Sequence, residues 1–157
     1  MSADPRSVAD AFYSAFARRD GAAMAALYSD NATFSDPAFP GLKGTEVGSM
    51  WMMLTSRSKS TRIEYKIVEV KGNVVIVDWQ AWYNFSGTGR AVHNIIRGEL
   101  TCEDGKIVAH RDHFDLHRWM GMAMGLKGKL LGWLPPVQKA LQKKARAGLD
   151  EYMSGNK

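Results

Sequence analysis

"TRIEYKIVEVKGNVVIVDWQAWYNF" (residues 61–85) is where the chain changes its period. Upstream, apolar residues recur at helical spacing. Within this stretch β-branched and aromatic residues dominate and mostly alternate with polar ones, the mark of strands with one covered face. "GN" in its middle is a hairpin signal. Two further runs of the same kind follow, "RAVHNIIRGELTC" (90–102) and "KIVAHRDHF" (106–114), connected through "SGTG" (86–89) and "EDG" (103–105). Residues 61–114 therefore predict a four-strand antiparallel meander.

Towards the N-terminus, "DPRSVADAFYSAFARRDG" (4–21) predicts a helix with Asp4 as N-cap and Pro5 at the first helical position. Val8, Phe12 and Phe16 form its apolar stripe, and Gly21 is read as its stop. "AAMAALY" (22–28) predicts a short second helix and "NATFSDP" (31–37) a brief strand ended by Pro37. "AFPGLKG" (38–44) reads as a loop, and a third helix runs from about Thr45 to Arg57 with Val47, Trp51 and Leu54 on one side. Helices before a meander predict an α+β fold with helices against one sheet face. Beyond Leu116 the chain returns to helix, then "GWLPPV" (132–137), then a basic amphipathic stretch to Tyr152.

The 157 residues suffice for one domain with a real core. No apolar run has the ~18 residues of a membrane span, and the first ten residues lack the apolar core of a signal peptide. The single cysteine, Cys102, permits no internal disulfide and suits a reducing compartment, so a cytoplasmic location is expected. The net charge of +5 is unevenly placed: residues 118–157 hold eight Lys/Arg against two Asp/Glu, whereas residues 1–117 hold thirteen against fourteen. A basic tail on a neutral body argues against a general nucleic-acid surface.

Three strings, "YSDNATFSDPAFPGLKG" (28–44), "SGTGRAVHN" (86–94) and "EDGKIVAHRDHFDLHRW" (103–119), together with the order of elements, resemble the nuclear transport factor 2-like superfamily. This is the cone-shaped α+β fold of ketosteroid isomerase, limonene epoxide hydrolase and SnoaL-like polyketide cyclases. The resemblance covers about residues 5–120. It implies a curved, mostly antiparallel sheet and N-terminal helices enclosing an apolar pocket in a domain of residues 1–120. A basic helical tail, 121–157, would pack on that domain, with membrane-surface contact by the tail as the lesser alternative.

The resemblance also implies candidate chemistry. Asp36 in "FSDP" matches the general base of ketosteroid isomerase, but Phe12 and Arg97 stand where that enzyme has a tyrosine and a protonated aspartate. Asp112 in "RDHFDL" matches an aspartate of limonene epoxide hydrolase, whose partner Arg and Asp fall here on Trp79 and Ala81. Its water-holding tyrosine and asparagine fall on Phe34 and Asp36. The expectation is a small enzyme without cofactor or metal, moving a proton on a hydrophobic, cyclic or steroid-like substrate with Asp36 as base. Epoxide hydrolysis, with Asp112 activating water, is the first alternative. A non-catalytic binder of hydrophobic ligands is the second.

Successive strand residues face opposite ways, so His110, Asp112 and Phe114 share one face, and Arg111, His113 and Asp115 the other. The resemblance turns the first set inward. It does the same for His93, Ile95 and Arg97, for Trp79, Ala81 and Tyr83, and for Asp36 with the helix aromatics Phe12, Phe16 and Trp51. Competing readings stay open at each place. Asp36 before Pro37 could shape a turn. Asp112 and Arg97 could be a structural ion pair, with Arg97 otherwise holding an oxyanion or a carboxylate. His93 could orient Asp112 or be a satisfied core histidine. His110, His113 and His117 invite a metal reading, which opposite strand faces argue against. Gln80, Trp82 and Asn84 fall on the outer face, where a large exposed aromatic predicts a homodimer.

Overall fold

The computed structural model describes residues 4–57 and 60–155, so the outer ends of the 1–120 and 121–157 segments lie outside the described residues. α1 (Pro5–Ala17) begins as its sequence predicts, with Asp4 accepting a hydrogen bond from Ser7 N at 2.8 Å and Pro5 in the first turn. Its stripe of Val8, Phe12 and Phe16 is buried, and so is Tyr13 beside it. Gly21 does not stop this helix but opens α2 (Gly21–Ala26), capped by Asp20. The reversal falls on Arg19, in the left-handed region at φ 58°. Glycine is needed at 21 because a Cβ there would lie 2.8 Å from the Cα of Met52 in α3 (Thr45–Arg57). α3 buries Val47, Met50, Trp51 and Met53, and leaves Leu54 at its exposed edge.

The six-stranded sheet has the order β2-β1-β6-β5-β4-β3. β3 (Arg62–Lys71), β4 (Val74–Asn84), β5 (Ala91–Glu103) and β6 (Lys106–His113) form the expected antiparallel meander. β1 (Tyr28–Ser35) begins earlier than the sequence suggests and takes Tyr28 from the second helix. It runs parallel to β6, with Phe34 opposite His110 and Ser35 opposite Arg111. β2 (Leu42–Lys43) pairs with β1 inside the stretch read as loop. Register irregularities at Tyr28/Thr33, Ile67/Glu69 and Thr101/Cys102 bend the sheet around α1 and α3.

One expected face is reversed. β5 turns Val92, Asn94, Ile96, Gly98, Leu100 and Cys102 inward, so His93, Ile95 and Arg97 lie outside. Ile95 is 53% exposed. Arg97 makes a two-pronged ion pair with Asp78 across the β4–β5 ladder, Nε to Oδ1 at 2.7 Å and Nη2 to Oδ2 at 2.9 Å, and holds that carboxyl below its usual range. His93 Nε2 meets Gln80 Oε1 at 2.7 Å, and its ring stacks on Trp82 with centroids 4.6 Å apart. The Arg62 guanidinium lies 4.0 Å from the Trp82 ring centre. Trp82 is thus half-buried by its own chain. Inward burial of an arginine would strip its hydration, and the outer arrangement avoids that.

After β6, Asp115 caps α4 (Leu116–Met124), and α5 (Leu126–Leu131) and α6 (Pro135–Gly155) follow. α6 packs against α3. Leu149 is fully buried in the main core, with Ala145, Tyr152 and Met153 against it. Val137 and Leu141 pack on a second cluster formed by Val92, Leu116, Trp119, Met120 and Ala123. Gln142 Nε2 donates to Pro37 O at 3.0 Å, and Arg146 joins Glu46 to Asp150. Replacing Leu149 with Ala should lower unfolding free energy by about 2–4 kcal/mol in urea denaturation, the usual cost of an unfilled leucine site. Lys143→Ala, on the exposed side, should change it by less than about 0.5 kcal/mol.

Candidate active site

β6 carries two titratable groups into the interior. His110 and Asp112 are each 3% exposed. Buried polar groups persist only with partners, and these have them. Asp112 Oδ1 accepts from His110 Nε2 at 3.0 Å and, more distantly, from Trp79 Nε1 at 3.4 Å. His110 Nδ1 lies 2.7 Å from Tyr28 Oη, which accepts from Trp51 Nε1 at 2.8 Å. The indole N–H can only donate. The directions are therefore consistent from end to end when the Tyr28 hydroxyl donates to His110 Nδ1 and His110 Nε2–H donates to Asp112. Phe12, Phe34 and Trp51 box the imidazole, with ring centroids 4.9–6.1 Å away.

Room for this carboxylate comes from Gly98, its partner on β5. A Cβ at 98 would come within 2.8 Å of both Asp112 Oδ1 and Tyr13 Oη. Tyr13 Oη is buried and makes no hydrogen bond among the described residues. Burial, with the charge of Asp112 added, pushes the Tyr13 phenol well above its ordinary pKa.

Asp36 stands one residue past the Ser35–Arg111 pairing, alongside Asp112, and is only half-buried. Its Oδ1 accepts from Ala38 N at 2.8 Å and Phe39 N at 2.6 Å, so it does shape the turn at Pro37. Its carboxyl is pushed up to about 7, first by burial. The charge of Asp112 adds to the rise, while the two N–H donors and His110 oppose it. Tyr83 responds to the charge of Asp36, which raises its phenol further after burial has done so. Tyr83 Oη accepts from Trp119 Nε1 at 2.7 Å and so keeps its own hydrogen to donate.

The expected site residues therefore separate. Asp36, His110 and Asp112 come together, whereas His93 and Arg97 are on the other side of the sheet. Among the described residues no arginine pairs with Asp112, and Arg97 pairs with Asp78 instead. Phe12, Phe16, Trp51 and Trp79, at most 7% exposed, fill the base of the cone with mutual ring contacts. Tyr83 and Phe114 are partly buried and pack against both apolar clusters, at the rim. His110 faces inward and His113 outward, and His117 Nε2 meets Lys129 O at 2.8 Å, so the three are not assembled. Sequence reading missed Tyr13, Tyr28, Gly98 and Trp119. No local signal flags Tyr28, because the irregularity between Tyr28 and Thr33 breaks the alternation and leaves Asp30, of the same parity, exposed.

Comparison with known proteins agrees with this architecture. The family model described as SnoaL-like domain matches residues 9–110. None of the curated proteins matches by sequence. A limonene epoxide hydrolase-like epoxide hydrolase of Mycobacterium tuberculosis superposes with a TM-score of 0.62 at 19% identity, covering 83% of this chain and 98% of that one. A protein of ketosteroid isomerase-like fold from Catenulispora acidiphila gives 0.67 at 14% identity over 78% and 95% of the two chains. A nuclear transport factor 2-like protein of Burkholderia pseudomallei gives 0.61 at 17% over 72% and 92%. At these identities the likeness is one of fold.

Because folding raises the Asp36 pKa from its ordinary value to about 7, the native state binds more protons than the unfolded chain between those limits. That contribution is present at acid pH and is lost as pH rises through about 7. Asp36→Asn keeps the Oδ1 acceptor but cannot ionise. Its melting temperature should match or exceed that of the wild type at pH 8, and the gap should close towards pH 4, by differential scanning calorimetry. Gly98→Ala should destabilise by about 1–3 kcal/mol, because the added Cβ would press on the ends of two buried side chains, Asp112 and Tyr13.

Proposed function

Since the chain belongs to the SnoaL-like domain family, with the cone of the nuclear transport factor 2-like superfamily, we propose that it catalyses proton transfer on a small hydrophobic molecule, as an isomerase does, with Asp36 as the base. The observation that carries this reading is the contrast between two neighbouring carboxylates. Asp112 is sealed in with His110 and Trp79, whereas Asp36 is only half-buried and its charge reaches the phenol of Tyr83, whose hydroxyl keeps its hydrogen to donate. A carboxyl with a pKa of about 7 both takes a proton from carbon and returns it at neutral pH.

In the proposed sequence an apolar carbonyl compound, cyclic or steroid-like, lies against Phe114 and Tyr83. The carboxylate of Asp36 removes a proton from the carbon next to the carbonyl, and the electron pair moves onto oxygen. Tyr83 O–H, polarised by the Trp119 N–H it accepts, donates a hydrogen bond to that oxygen. The enolate then collapses, and the acid form of Asp36 hands its proton back at the same carbon or at the conjugated one. One oxygen of Asp36 is committed to the Pro37 turn, which holds the carboxyl plane fixed during both transfers. Hydrolysis through Asp112 is less favoured, because that carboxylate is 3% exposed.

The test is deuterium uptake next to the carbonyl of a β,γ-unsaturated cyclic ketone in heavy water. The wild type should exchange it, with a rate that rises with pH through about 7 as Asp36 loses its proton. Asp36→Asn should slow exchange by about 10²–10⁴-fold, the range a placed base contributes. Asp112→Asn keeps an acceptor for His110 and Trp79 but removes charge, so it should retain exchange with the pH midpoint moved downward. Exchange that survives Asp36→Asn and disappears in Asp112→Asn would transfer the chemistry to Asp112.

A further inference from the structure

Among the described residues seven large apolar side chains stay exposed, and four of them fall between 126 and 133: Leu126 at 71%, Leu130 at 62%, Leu131 at 40% and Trp133 at 60%. They belong to α5 and the turn after it. The mean exposure of an isolated surface leucine needs no explanation, but a cluster does. Its setting is equally one-sided. Residues 116–149 contain seven Lys/Arg and neither Asp nor Glu. Arg146 is paired and Arg118 Nη1 donates to His93 O at 2.8 Å, whereas Lys127, Lys129, Lys139, Lys143 and Lys144 form no ion pair among the described residues.

α5 is a ridge between two hollows of opposite character. One, of about 490 Å³, is lined by Arg90, His117, Arg118 and Lys129. Its single carboxylate, Asp115, is committed to capping α4 through Arg118 N. The other, of about 330 Å³, is lined by Met120, Met124, Leu131, Val137 and Leu141, with Lys127 and Lys144 at its edge. No helix of the described residues is long and apolar enough to cross a membrane.

We propose that the α5 ridge docks on an anionic membrane surface, with Leu126, Leu130 and Trp133 entering the headgroup layer and the surrounding lysines meeting lipid phosphates. Apolar tips ringed by cations, with a tryptophan at their boundary, match a layer that is anionic outside and apolar beneath. A second copy of the chain fits poorly. A two-fold interface sets a patch against itself, and here that brings two unneutralised cationic surfaces together. The stripe of α6 is not the contact, since Leu149 is buried in the core. The inference stands apart from the reading of Asp36. A protein held at a bilayer would, however, meet hydrophobic compounds where they accumulate.

The experiment is co-sedimentation of the full chain with phosphatidylcholine vesicles and with mixed phosphatidylglycerol–phosphatidylcholine vesicles. Binding is expected to the anionic vesicles only, weakened by salt and accompanied by a blue shift of tryptophan emission that Trp133→Phe removes. The double change Leu126→Ser and Leu130→Ser, and separately Lys127→Glu with Lys129→Glu, should each reduce the bound fraction about tenfold or more. Their thermal melts should not change, because all four side chains are exposed. Absence of sedimentation with anionic vesicles would overturn the proposal, as would binding that both variants retain. Light scattering that shows a dimer broken by Leu126→Ser and Leu130→Ser would assign the ridge to a second copy instead.

Discussion

A carboxylate and an imidazole inside an aromatic box are the constraint on which the rest of this structure depends. An unsatisfied buried charge or amide-sized dipole costs several kcal/mol, and a partly satisfied network is worse than an apolar core. Here Trp51, Tyr28, His110, Asp112 and Trp79 hand hydrogen bonds along one line, and they come from α3, β1, β6 and β4. Apolar packing tolerates sliding and repacking, but hydrogen-bond directions do not. The line therefore sets where α3 sits over the sheet and how β1 lies beside β6. The glycine at 98 belongs to the same constraint, because the opposite strand must withdraw its side chain for the carboxylate to fit.

The buried network also grades the electrostatics outward. Asp112 lies deep and its charge reaches Tyr13, Tyr28 and Asp36, raising the pKa of each. At the rim burial is incomplete: Asp36 is half-buried, feels the charge of Asp112 beneath it, and its own charge reaches the half-buried Tyr83. One carboxylate thereby serves two ends. Its bonds to Ala38 N and Phe39 N are those of an ordinary turn, while its elevated pKa comes from what lies beneath it. The turn reading and the proton-transfer reading of Asp36 are compatible, because different features of the same side chain carry them.

The C-terminal helices divide the basic charge of the chain between two tasks. α6 is held by Leu149 in the core, by Arg146 on Glu46 and by Gln142 on the Pro37 carbonyl, next to Asp36. Arg146 lowers the pKa of Glu46, as a neighbouring guanidinium should. In α5, by contrast, Leu126 and Leu130 stay mostly exposed, and Lys127 and Lys129 form no ion pair among the described residues. The contrast shows that the basic composition of residues 118–157 is not uniform in meaning: some of it clamps the helix to the domain, and the remainder surrounds exposed apolar surface.

What was legible in the sequence was local. The meander, its turns, the Asp4–Pro5 start of α1 and the shared face of His110 and Asp112 follow from short-range periodicity and capping, which a few adjacent residues decide. The face of β5 was legible too, but the resemblance pointed the other way. Val92, Ile96, Leu100 and Cys102 share one parity, whereas the other holds Arg97 and Glu99 with a single isoleucine, Ile95, so the cost of burying charge selects the first. Asp78 then pairs with Arg97 on the outer side, an exposed contact that adds little. By contrast, the parallel β1–β6 pairing and the place of Tyr28 in the polar line join residues 76 to 82 positions apart, beyond the reach of any local pattern. The sequence by itself determined which residues could face together along each strand and helix. Only the tertiary structure decided which of those faces met, because burial and hydrogen-bond satisfaction are properties of the whole packed core.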